Sequence, residues 1–311
     1  MKVMFMGTPD FAVGTLEEII KAGHEVVLVV SQPDKAVGRS KALKYTPVKA
    51  CALEHGLEVY QPERVKSPEC VEYLKTFEPD LIVVEAFGQI ISKEILELPK
   101  YCCINVHASL LPKYRGASPI QWAVINGDEE TGVTIQRMDE GVDTGDIIAT
   151  ETVTLAKDET AGSLFDRLAE VGAKLCVKTM EAIENGTATF TPQDSSKATH
   201  TGKIHKEMGN IDWNGSAKQI ECLIRGLNPW PSAYTKLGDK SLKIWKAEVL
   251  PDEKKAAPGC ILSAGKEGIK VQTGDGILSL TEIQLEGKKR MSTEAFLNGY
   301  TVETGTYFKK C

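Results

Sequence analysis

Four short, largely apolar runs, Lys2 to Met6, Glu25 to Val30, Asp80 to Val84 and Tyr101 to Val106, constrain the fold more than any other feature of the chain. Amphipathic stretches separate them: Phe11 to Ala22, with Asp10 as a cap before it and Gly23 after it, then Thr46 to His55 and Pro68 to Phe77. Strands alternating with helices over the first ~150 residues predict a parallel sheet with crossover helices. Further strands are expected at Gly132 to Arg137 and Gly145 to Val153, followed by a helix from about Thr160 to Glu184. The expected class is therefore α/β, with a Rossmann-like, mostly parallel sheet over residues 1–188.

Asn185 to Gly202 is rich in Thr, Ser, Gly and Pro and lacks periodicity, so a linker is expected here, with bounds drawn at 189–206. Beyond it come a short helix, roughly Ser216 to Gly226, and five strand runs punctuated by Gly-Asp and Gly-Lys turns. That pattern predicts a small OB-like β-barrel over 207–311. A length of 311 residues suits two domains, and a 42% hydrophobic content supplies both cores.

The N-terminal apolar run breaks at Gly7 and Pro9, too early for a signal peptide, and no run reaches the ~20 apolar residues of a membrane span. A soluble, cytoplasmic protein without membrane contact is expected. Eight scattered cysteines, with no CxxC pair, read as reduced thiols, so neither a disulfide framework nor a metal centre is expected. Residues 1–202 hold 20 Lys and Arg against 30 Asp and Glu, while residues 203–311 hold 17 against 13. The acidity belongs to the first part, and a basic second domain is a modest hint of nucleic-acid contact.

The first turn, GTPDFAVG, lacks the G-x-G-x-x-G spacing that a dinucleotide pyrophosphate needs, which argues against a nicotinamide oxidoreductase. Gly7 still ends a parallel strand, where such sheets bind ligands. Asn105 and His107 lie two apart at the end of the CCINV run, so they share a face there. A lone Asn-x-His is more often a turn cap beside a satisfied histidine. The long SLLPKYRGASPI loop behind it favours a pocket. Asp143, in a turn bracketed by Gly141 and Gly145, offers a carboxylate to complete an amide donor, a proton shuttle and an orienting acid. Ser31 to Lys49 carries five basic residues, Lys35, Arg39, Lys41, Lys44 and Lys49, and reads as a mobile, positively charged flap suited to an anionic substrate.

Taken together, GTPDFAV, SQPDKAVGR, NVHASLLPKYRGASPIQWAV, GVDTGDI, KIHKEMGNIDW, RGLNPWPSAYT and LEGKKRM resemble the methionyl-tRNA formyltransferase family, in order and along nearly the whole chain. The resemblance implies transfer of a formyl group from 10-formyltetrahydrofolate, as cosubstrate, to the α-amino group of methionine on initiator Met-tRNA, without a metal. It implies Asn105, His107 and Asp143 as catalytic, and Phe87, Gly88, Ser109, Leu110, Leu111 and Pro112 as folate-binding. For tRNA it implies Lys35, Arg39, Lys41, Lys203 and Lys206, and it implies a monomer. Glu85 in an apolar run, and Phe87 where the family usually has Tyr, depart from the pattern. Glycinamide ribonucleotide transformylase, which does the same chemistry on a small amine, is the nearest alternative, and the basic C-terminal domain counts against it. An RNA-binding protein without catalysis would leave Asn105, His107 and Asp143 unexplained.

Overall fold

The computed structural model describes residues 1–37, 42–251 and 256–309. Its elements in chain order are β1 (Lys2–Gly7), α1 (Val13–Lys21), β2 (Glu25–Val30), β3 (Lys35–Val37), β4 (Ala42–Lys44), α2 (Pro47–Glu54), β5 (Val59–Tyr60), α3 (Pro68–Lys75), β6 (Leu81–Glu85), α4 (Lys93–Leu96) and β7 (Cys102–His107). There follow β8 (Arg115–Gly116), α5 (Pro119–Ile125), β9 (Glu130–Arg137), β10 (Ile147–Thr154), α6 (Ala161–Glu184) and β11 (His200–Thr201). The remainder holds α7 (Ala217–Gly226), β12 (Ala233–Leu237), β13 (Lys240–Leu250), β14 (Ile261–Gly265), β15 (Gly268–Gln272), β16 (Ile277–Leu285), β17 (Met291–Ser292) and α8 (Thr293–Leu297).

Two compact units result, and neither is one unbroken stretch. The first comprises Met1–Gly116, Glu130–Thr154 and Phe165–Thr201; the second comprises Ala117–Glu129, Leu155–Leu164 and Gly202–Cys311.

In the first unit a seven-stranded sheet runs β10-β9-β7-β6-β1-β2-β5. The four expected runs form its parallel centre, and β9 and β10 add antiparallel to one edge. All five residues of β6 are buried, as a strand covered on both faces requires. On one face Met4, Met6, Val30, Ile82, Val84 and Cys103 pack against α3 and α4 through Val71, Leu74 and Ile95. On the other, α6 approaches closely at Gly172, where a Cβ would stand 3.1 Å from Val106 Cγ1. Helix starts follow local chemistry: the Thr46 and Ser67 side chains cap α2 and α3, and Pro47 and Pro68 take the first turn.

Two local expectations are corrected. The helix expected from Phe11 begins at Val13, because Asp10 to Ala12 winds as a 3₁₀ turn in which Ala12 N–H bonds the Pro9 carbonyl. The basic flap, expected as a mobile loop, carries a hairpin: β3 and β4 pair antiparallel, Lys35 opposite Lys44 and Val37 opposite Ala42.

The chain turns outward from β1 in both directions, to β2 and β5 on one side and to β6 and β7 on the other. The switch point thus lies at the carboxyl ends of β1 and β6, where open α/β sheets bind ligands. Gly7 closes β1 there; a Cβ on it would lie 2.8 Å from the Phe5 ring.

The second unit is built on an antiparallel sheet ordered β12-β13-β16-β15-β14, with β17 beside β16. Its two edges are joined by one segment: Lys309 bridges to Lys236, and Tyr307 to Cys260. The core inside includes Trp213, Ile220, Ile224, Leu242, Ile244, Leu280 and Phe308. Helix α7 enters through a capping box in which Ser216 and Gln219 satisfy each other's backbone N–H groups. Among the described residues no helix is long and apolar enough to cross a membrane.

Candidate active site

Strand β7 presents alternate residues to opposite faces, and Val106 faces α6. Asn105 and His107 therefore share the opposite face, at the carboxyl end of the sheet. Asn105 sits between Val84 of β6 and Gln136 of β9 in the ladder, and His107 is opposite Thr134. The Asn105 side-chain amide is half-buried and makes no hydrogen bond among the described residues.

His107 is buried, with a polar partner facing each ring nitrogen. Its Nε2 lies 2.9 Å from the Tyr114 carbonyl oxygen. A carbonyl only accepts, so Nε2 carries the proton of the neutral ring and Nδ1 keeps the lone pair. That lone pair faces Asp143 Oδ1 at 3.6 Å, too long for a direct hydrogen bond and short enough for an ion pair once the ring is protonated.

Asp143 sits in the left-handed region at φ 54°, which the bracketing turn permits. Gly145 is required there, because a Cβ would lie 1.7 Å from the Arg137 carbonyl oxygen. The carboxylate accepts from Gly116 N–H at 2.7 Å and from Gln136 Nε2 at 2.9 Å. The backbone of the same turn is fastened by Gln193, whose amide donates to the carbonyls of Asp143 (2.9 Å) and Gly145 (2.7 Å). Gln193 Oε1 in turn accepts from buried Arg115 through Nε (3.0 Å) and Nη2 (2.9 Å).

The loop after His107 is internally braced. Ser109 Oγ donates to the Lys113 carbonyl at 2.6 Å, and Thr134 Oγ1 bonds both the Ser109 carbonyl and Leu111 N–H. Ser109 and Leu111 are buried; Leu110 and Pro112 are half-buried. Across the switch point, Phe87 turns its ring into the core and leaves its carbonyl to accept from Thr8 Oγ1 (3.0 Å) and Gln32 Nε2 (3.2 Å). Gly88 follows, exposed, at φ 85°.

At the flap's base, Asp34 meets Lys49 Nζ at 2.5 Å and Gln61 Nε2 at 2.9 Å. Burial alone would raise the Asp34 carboxyl, but these donors and Thr46 N–H outweigh it and hold it below its usual value. Lys35 is exposed on the hairpin, whereas Arg39 and Lys41 lie outside the described residues. Lys203 and Lys206 are exposed and belong to the second unit.

The structure thus brings His107 and Asp143 together from sequence positions far apart, with Asn105 on the same face. Sequence reasoning missed the parts that hold them: Tyr114 O, Gly116 N–H, Gln136, Arg115 and Gln193. Backbone groups leave no trace in side-chain identity, and Gln193 lies in a stretch that reads as a linker.

The Formyl transferase family model matches residues 1–180, and the model for the formyl transferase C-terminal domain matches 203–301. Among curated proteins, the chain is 64% identical over 308 residues to a methionyl-tRNA formyltransferase of Agathobacter rectalis, covering 99% of each chain. It is 55% identical over 310 residues to that of Lachnospira eligens, covering 98% of each, and 48% identical to that of Clostridioides difficile, covering 98% of this chain and 99% of the other. Among solved structures, a sugar 3N-formyl transferase, WlaRD, crystallised with dTDP and 5-N-formyl-THF, superposes with a TM-score of 0.68 at 21% identity, over 93% of this chain and 99% of that one. HypX from Aquifex aeolicus in complex with tetrahydrofolic acid gives 0.61 at 20% identity, over 99% of this chain and 51% of that one. At such identities the likeness is one of fold.

Proposed function

Because the chain belongs to the formyl transferase family, we propose that it transfers the formyl group of 10-formyltetrahydrofolate to the α-amino group of methionine on initiator Met-tRNA. The observation that carries the chemistry is the His107–Asp143 pair at 3.6 Å, beside the uncommitted Asn105 amide at the sheet's carboxyl edge. The whole-length relatives support the tRNA substrate. A folate suits the same edge: its flat pterin needs backbone donors and acceptors, and the turn at Ala86 to Gly88, with two residues at positive φ, exposes Ala86 and Gly88 there.

In this reading an amine attacks the formyl carbon, a C–N bond forms, and the bond to folate N10 breaks. Asn105 donates its amide N–H to the carbonyl oxygen as negative charge develops. His107 Nδ1 accepts the proton that the attacking amine sheds, and Asp143 stabilises the resulting imidazolium. His107 then delivers that proton to N10 as it leaves, and the ring returns to its starting tautomer. Tyr114 O holds Nε2–H throughout. Ser109, Leu110, Leu111, Pro112, Phe87 and Gly88 border the folate in this proposal, and Lys35, Arg39, Lys41, Lys203 and Lys206 meet tRNA phosphates. Residues 1–188 carry the chemistry, 189–206 link, and 207–311 bind tRNA, in a cytoplasmic monomer.

The deciding experiment offers initiator Met-tRNA and glycinamide ribonucleotide side by side with 10-formyltetrahydrofolate. Formylation of Met-tRNA alone is expected. Turnover of the ribonucleotide in its place would overturn the substrate, and turnover of neither would overturn the activity.

A further inference from the structure

Helices α1 and α2 pack against each other, and three side chains of different chemistry converge between them. His55, the residue that caps the end of α2, lies one turn beyond Cys51 on the same face, as the His55 N–H to Cys51 carbonyl bond at 3.2 Å shows. Glu17 faces them from α1. The thiol sulfur, an imidazole nitrogen and a carboxylate oxygen all stand within 4.8 Å of one another.

Among the described residues, Glu17, Cys51 and His55 make no side-chain hydrogen bond or ion pair, although neighbouring Glu18 pairs with Lys21. The donors approach without bonding each other. A carboxylate and an imidazole at a helix surface ordinarily point to water, and a small thiol ordinarily fills core. Convergence of all three donor types on one point is the arrangement that a cation would hold together.

We propose that Glu17, Cys51 and His55 form a binding site for a thiophilic divalent cation of the zinc class. Sulfur and imidazole donors disfavour magnesium and calcium, which take oxygen. Zinc with one sulfur, one nitrogen and one oxygen at about 2.0–2.3 Å needs its ligands about 3.3–3.8 Å apart, a closure that side-chain rotation supplies. Water completes the tetrahedron, and the thiol proton leaves to solvent as sulfur binds the metal. His55 is exposed and gives the entry path, while Cys51 is buried beneath it.

The consequence is mechanical. Helix α2 is capped by Thr46, whose hydroxyl meets Ser31 Oγ at 2.7 Å, and Val48 N–H reaches the Thr8 carbonyl. A metal joining α1 to α2 therefore stiffens the foot of the basic flap.

Cobalt(II) reports thiolate ligation directly, through a near-ultraviolet charge-transfer band. Titrating the full chain, stripped with chelator, should produce that band, saturating at a single equivalent and displaced by zinc. Cys51→Ser, checked for folding by circular dichroism, should abolish it. His55→Ala changes an exposed side chain; it should weaken affinity about tenfold or more, since even outer-shell partners are worth about 10- to 100-fold. Zinc should also raise the melting temperature of the unmodified chain and not that of His55→Ala. A missing band, an undiminished band in Cys51→Ser, or unchanged affinity in His55→Ala would each overturn the site.

Discussion

His107 donates Nε2–H to the Tyr114 carbonyl at 2.9 Å while its Nδ1 faces Asp143 at 3.6 Å, so the orienting partner and the charge partner are different groups. Replacing His107 by Ala should lower kcat by about 10²- to 10⁴-fold, the usual worth of a positioned proton carrier. Asp143→Ala should act in the same range. Binding of tRNA should be nearly unchanged in both, as a filter-binding assay can show; turnover near that of the unmodified chain in either variant would remove these roles.

Among the described residues Asn105 has no competing partner, which makes its contribution separable. Asn105→Ala should cost about 10²- to 10³-fold in kcat, the range for losing one oxyanion donor, with little change in KM for either substrate. A loss confined to KM would assign Asn105 to ground-state binding.

Gln193 positions Asp143 without reaching the reacting atoms. Gln193→Leu removes two acceptor bonds from buried Arg115 and two donor bonds to the turn, and should destabilise the protein by about 1–3 kcal/mol. It should also lower kcat while sparing KM for tRNA. Urea unfolding and steady-state kinetics read the two effects separately, and loss of stability with full kcat would leave Gln193 structural only.

Glu85 is fully buried at the end of β6, and among the described residues neither carboxylate oxygen has a hydrogen-bond partner. The nearby Thr15 hydroxyl acts to lower its pKa but completes no bond, and burial raises the carboxyl from 4.5 to about 8. The folded state therefore keeps a proton that the unfolded chain loses above pH 4.5. Stability should fall between pH 4.5 and 8, and the loss should end once the folded group also ionises. Glu85→Gln cannot ionise, so it should gain on the order of a few kcal/mol relative to the unmodified chain between pH 5 and 8. Parallel pH profiles of the two proteins in urea unfolding would sink this account.

Arg39→Ala should raise KM for Met-tRNA and leave KM for the folate cosubstrate unchanged. Unaltered kinetics with tRNA would take the flap out of substrate binding.

Much of this was legible in the residues themselves. Short, continuous apolar runs reveal strands buried on both faces, and the two-residue step from Asn105 to His107 places both on one face at the strand end. What could not be read is whatever depends on long-range approach. The Tyr114 carbonyl and Gly116 N–H are common to every residue type, so nothing in side-chain identity marks them. Composition hides Gln193 for the same reason, since a polar residue among Thr and Ser signals solvent until a buried arginine is found against it. Glu85 is the opposite case. It stands out in its apolar run, yet only the fold shows that no partner among the described residues bonds it.

Gln193 also bears on how the molecule can be dissected. A fragment ended at residue 188 would keep every proposed catalytic side chain and lose the amide that pins the Asp143 turn, together with the His200–Arg115 pairing of β11 and β8. It would fold, if at all, with an arginine stranded in its interior. Cutting after Thr201 retains both contacts. Domain-swapped chimaeras with other members of the family should therefore be joined beyond that point.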